Sequence, residues 1–106
     1  GHLNAQFNLG SLYLDGQGTE RNVSEGIDWF VRAAKDGHGN SAYSLAKIFQ
    51  TGDSVESDQV QAHAWAAQSE ANEHPEGNLL KNEIAESMSA EEIGQARRLF
   101  AAWQIE

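Results

Sequence analysis

The sequence contains no cysteine. Neither a disulfide framework nor a thiolate zinc site can therefore be built, and the redox poise of a compartment leaves no mark on the chain. Proline occurs once, at Pro75, so ring geometry interrupts a helix or strand nowhere else. No apolar run approaches the roughly 18 to 20 residues of a membrane-spanning helix, and membrane insertion is not expected. Basic residues are also few. Seven Lys and Arg stand against 16 acids for a net charge of −9. After Val55 ten acids face only Lys81, Arg97 and Arg98. A polyanion would be repelled by most of this surface, so nucleic acid is not an expected partner. The acidic excess keeps a small domain soluble and offers, as an alternative, steering toward a basic partner. Nothing in the composition fixes a compartment.

What the chain does have is internal repetition. With 106 residues, 40% of them apolar, it is the size of one ordinary domain. Aligned with itself at an offset of 36 residues, it matches Gly1, His2, Asn4, Leu9, Gly16, Glu20 and Trp29 with Gly37, His38, Asn40, Leu45, Gly52, Glu56 and Trp65. Conservative pairs fill the gaps: Phe7 with Tyr43, Gly10 with Ala46, Leu12 with Ile48, Tyr13 with Phe49. A period of this length signals a solenoid of stacked units. The units are expected at about 1–36 and 37–72, followed by a capping helix pair at about 75–104.

Within each unit the apolar spacing is helical. Ala5, Leu9, Leu12 and Tyr13 form one stripe, and Leu45, Ile48 and Phe49 repeat it, which predicts a helix A at 4–15 and again at 40–51. Gly16 and Gly52 supply the left-handed residue that closes each. Asn22 with Glu25, and Asp58 with Gln61, then have the spacing of reciprocal capping boxes and predict a helix B ending before Gly37 in the first unit and spanning about 59–71 in the second. Ile27, Phe30, Ala33 and Ala34 form the first helix B's inward stripe. In the tail, Leu79, Leu80 and Ile84 mark a helix at 76–87, with Pro75 in its first turn. Ser89 with Glu92 caps a last one carrying Ile93, Ala96, Phe100 and Trp103. Gly10 and Ala46 lack bulk where paired helices approach, while Trp29 and Trp65 are expected as buried wedges between hairpins.

The segment Ala5–Gly18 reads A-x-x-x-L-G-x-L-Y-x-x-G-x-G, and Trp29–Gly37 continues W-F-x-x-A-A-x-x-G. These motifs closely resemble the Sel-1-like repeat family, relatives of the tetratricopeptide repeats. The resemblance implies an all-α, right-handed solenoid of antiparallel hairpins with helix A on the concave side. The second unit departs from the pattern at Ala46, Ser54, Ala66 and Glu70. The Met88–Arg98 segment looks like the terminal helix common after such arrays. The chain begins with Gly1 rather than Met, in phase with Gly37. A fragment of a longer repeat protein is expected, and whether Gly1 and His2 are native or a cloning remnant stays open.

Chemistry finds little support. His2 and His38 lie a whole unit apart with no second ligand at helix-neighbour spacing, His63 has only Gln59, Ala66 and Ala67 nearby, and His74 has Glu73 and Glu76. No G-x-S-x-G elbow occurs, and Gly16-Gln-Gly18 is too short for a phosphate loop. Neither catalysis nor a metal or other cofactor is expected. A binding surface is the better reading. If Leu9, Leu12 and Tyr13 face the core, then Asn8, Ser11 and Asp15, with Ser44, Lys47 and Thr51 in the second unit and Asn82 in the third, lie on the open side of helix A. Phe7 and Tyr43 border that face as peptide contacts or as packing between hairpins. The expected role is a scaffold that holds a protein or peptide there, with self-association through the end hairpins as the alternative.

Overall fold

The computed structural model describes residues 2–18 and 20–106, so the phase assigned to Gly1 lies outside it. The described residues form six α-helices and no strand: α1 (His2–Asp15), α2 (Val23–Lys35), α3 (Gly39–Thr51), α4 (Gln59–Ala71), α5 (Gly77–Ala85) and α6 (Ala90–Gln104). They build a solenoid of 43 × 26 × 24 Å in which α1 pairs with α2 and α3 with α4.

Each hairpin is closed by the same backbone device. Gly16 and Gly52 adopt φ of +71° and +75° and donate to Leu12 and Ile48 carbonyls, ending helix A. Asn22 and Asp58 then accept from the Glu25 and Gln61 amides, capping helix B. The expected reciprocal half of these two caps is absent. The Asn22 N–H is taken by the Tyr13 carbonyl (2.8 Å) and the Asp58 N–H by Phe49 (2.9 Å), so the capping residue ties its helix to the preceding one. Among the described residues only Ser89 and Glu92 form the full box.

The close approach inside the first hairpin is real. A Cβ built on Gly10 would lie 2.7 Å from the Phe30 ring and 2.9 Å from the Gly26 carbonyl oxygen. Ala46 is fully buried at the same phase. The core runs through Phe30, Ala34, Leu45, Trp65, Leu80 and Ile84. In α4 residues are buried around most of the circumference, because α3, α5 and α6 all pack on it.

Two expectations about packing need correction. The α1 stripe is only partly covered: Leu12 is 41% exposed and Ala5 exposed, because α1 packs chiefly on α2. The two tryptophans also differ. Trp65 is buried and stacks on Trp103, with centroids 4.0 Å apart, whereas Trp29 is half-buried with the Arg32 guanidinium 4.6 Å above its ring. A partner ring from α6, and not the repeat phase, makes Trp65 a wedge.

The third pair does not close like the first two. Both α5 and α6 pack on α4, but they share little direct packing. Position 82, in phase with Gly10 and Ala46, holds Asn82. Counted from the capping residue, Ile93 stands where α2 has Gly26 and α4 has Ala62. Two small residues that let helices touch are replaced by two larger ones, and the helices splay.

Candidate functional site

Two surfaces result. One is a shallow groove between α3 and α5, about 250 Å³ in volume, lined by Tyr43, Lys47, Glu76, Leu79, Leu80 and Glu83. Tyr43 is half-buried, its ring parallel to His74 at 4.2 Å, with the Lys47 ammonium 5.9 Å from the ring centroid. Gln50 donates to Glu83 across the same helices. Leu79 is 70% exposed and adds an apolar side chain to this groove. Leu79 and Glu83 stand one period after Tyr43 and Lys47, a signal available by counting.

Of the residues expected on the open side of helix A, Asn8, Asp15, Lys47 and Thr51 are exposed and Ser11 and Ser44 half-buried. The Ser11 and Thr51 hydroxyls donate to the carbonyls of Phe7 and Lys47, and Thr51 also accepts from the Asp53 amide, which uses them in local structure. Phe7 is accounted for by packing: it stacks on Phe30 at 5.1 Å and tilts against His38. The Phe7–His38 and Tyr43–His74 contacts recur at the 36-residue offset, so these histidines join successive units. His38 also caps α3, accepts from the Ser41 amide, and meets Asn4 at 2.9 Å. Its partial burial lowers its pKa. Asn82 does not extend the row. It lies at the edge of the opposite side of α5, the side of Lys81 and Ala85.

That opposite side is the second surface, a cavity of about 540 Å³ where α5 and α6 diverge over α4. Ala67, Ala71, Ala85, Ile93, Ala96 and Phe100 supply its apolar wall, and His63, Glu70, Lys81, Asn82 and Arg97 its polar groups. Lys81 and Glu70 are ion-paired at 2.6 Å, and Asn78 donates to the other carboxylate oxygen. The Lys81 hydrogen bond holds the Glu70 carboxyl below its ordinary pKa, with burial opposing and Asn78 assisting. His63 is 5% exposed and its Nδ1 has no hydrogen-bond partner. Burial first, then the charges of Lys81 and Arg97, lower its pKa and favour the neutral imidazole. None of this was expected from the sequence, although a histidine among the alanines of a buried helix face was the available sign. The described residues contain no cluster of three or more potential metal ligands, and no helix long and apolar enough to cross a membrane.

Known proteins share the architecture. Residues 3–38 and 39–74 each match the Sel1 repeat, two residues out of step with the units expected from the self-alignment. The alginate biosynthesis protein AlgK of Pseudomonas syringae pv. tomato is 26% identical over 102 residues, which is 96% of this chain and 22% of that protein. A protective antigen present in uropathogenic Escherichia coli strains, with an SLR fold, superposes with a TM-score of 0.83 at 30% identity, covering 95% of this chain and 22% of its own. A Sel1 repeat protein from Oxalobacter formigenes gives 0.59 at 30% identity over 66% of this chain and 29% of its own. The chain thus spans less than a third of the length of each. Proteins built this way are generally protein-interaction scaffolds. Two matched repeats, six helices and the recurring hairpin closure make the chain a member of the Sel1 repeat family.

Proposed function

We propose that this chain is a scaffold segment that holds an extended stretch of a partner protein along the row α1, α3 and α5. One observation carries the reading: exposed Leu79 lies in the same groove as Tyr43 and Lys47, and Lys47 has no ion-pair partner among the described residues. An apolar contact and an aromatic edge suit the apolar side chains of an extended segment, and Lys47, flanked in the lining by Glu76 and Glu83, gives the groove charges of both signs for its polar ones. Asn8 and Asp15 continue the polar surface on α1. These exposed side chains take no part in the core.

A photo-crosslinking amino acid placed at Asn8, Lys47 or Leu79 in the full-length parent protein tests the reading. A single discrete adduct from these sites, and none from Asp28 or Arg32 on the exposed face of α2, is the expected result. The adduct should disappear on replacing Asn8, Ser11 and Lys47 together with alanine. Equal labelling from both faces sinks the proposal. If the adduct proves to be a second copy of the chain, the self-associating alternative replaces it.

A further inference from the structure

From the cavity between α4, α5 and α6 we infer that the chain carries a second binding site, independent of the peptide groove, for a small amphipathic monocarboxylate. Its volume of about 540 Å³ falls in the range of small-molecule sites, and three helices bound it. The wall is methyl and aromatic: Ala67, Ala71, Ala85, Ile93, Ala96 and Phe100. Such a wall accepts an apolar body and offers no partner to a polar one.

The charged groups select the head. Lys81 and Glu70 neutralise each other at 2.6 Å, which leaves Arg97 as the uncompensated charge in the lining, with no carboxylate in ion-pair range among the described residues. One free guanidinium calls for one anion, and its planar fork matches a carboxylate. In a chain of net charge −9 with seven Lys and Arg, two of the seven line this one cavity. His63 completes the set. The residue is 5% exposed and lines the cavity, with its unpartnered Nδ1 sealed beneath the surface. A buried polar group left unpaired destabilises the fold, and alanines surround it on α4.

The test uses the 106-residue chain and four probes: sodium decanoate, methyl decanoate, decyltrimethylammonium, and an acetylated peptide ending in a free leucine carboxylate. Calorimetric titration should show decanoate binding at least tenfold tighter than the ester or the cation. His63 imidazole resonances should shift on adding decanoate. Arg97→Gln, an exposed position, should weaken decanoate about tenfold and leave the ester unchanged. His63→Phe should weaken decanoate while raising the melting temperature, the combination a purely structural histidine would not give. Equal binding of acid and ester would reduce the cavity to a grease spot and overturn the proposal. So would binding of the peptide alone, or of no probe at all.

Discussion

The indole of Trp103, at the end of α6, stacks on that of Trp65 in α4 with ring centroids 4.0 Å apart and planes 28° from parallel. The contact reaches past the splayed α5–α6 pair and fastens the last helix to the middle of the core. Trp103→Ala should destabilise the fold by about 2 kcal/mol, below the 3 to 5 of a fully buried aromatic because Trp103 is only half-buried. Urea unfolding followed by fluorescence checks this. An unchanged midpoint would mean that α6 is held without its tryptophan.

Gly10 and Asn82 share a repeat phase but not an environment. Gly10→Leu drives a side chain into Phe30 and the Gly26 carbonyl and should cost about 2 kcal/mol or more. Asn82→Leu points into the cavity and should stay within about 0.5 kcal/mol. Thermal melts of the two variants side by side decide the matter. Equal destabilisation would show that the third hairpin closes in solution.

Acid should weaken the fold through His63. Glu70 on its own helix, Lys81 on α5 and Arg97 on α6 share the cavity with it. Its folded pKa lies below the unfolded value of about 6.5, first from burial and then from the two cations. As pH falls through 6.5 the unfolded chain takes up a proton that the native state refuses, so stability drops between there and the lower folded pKa. His38, lowered by burial, acts in the same direction. Calorimetry from pH 7.5 to 5 should show the melting temperature falling, and His63→Phe should flatten part of that slope. A slope untouched by the substitution would place the effect elsewhere.

Replacing Asn8, Ser11 and Lys47 together with alanine should leave helicity unchanged and cost little stability, since Asn8 and Lys47 are exposed and Ser11 only bonds back to its own helix. Circular dichroism melts are the check. A loss of several kcal/mol would return these residues to the core.

Much of this fold is readable in the letters, because hairpin closure depends on local chemistry. Gly16 and Gly52 at left-handed φ, the acceptors at Asn22, Asp58 and Ser89, and the small Gly10 each act within a few residues or one helix pair. What was not legible depends on cover from distant elements. Trp29 and Trp65 are the same residue at the same phase, and only the arrival of Trp103 distinguishes them. The cavity needs Asn82 on α5 and Ile93 on α6 to be bulky together, and it turns His63 from a helix-face histidine into a wall of a chamber. Asn82 is in phase with Ala46, whereas the residues one period after Tyr43 and Lys47 are Leu79 and Glu83.

The backbone bonds from Asn22 to Tyr13 and from Asp58 to Phe49 have a consequence for how this architecture can change. They pin the two ends of each connecting loop with main-chain atoms, so beyond the left-handed Gly16 and Gly52 the closure asks little of the side chains between. Lengthening such a loop costs only about 0.6 kcal/mol per doubling. The connections that follow Gly16 and Gly52 are thus natural ports where extra sequence, and with it new specificity, can be grafted while the stacked helices keep their spacing.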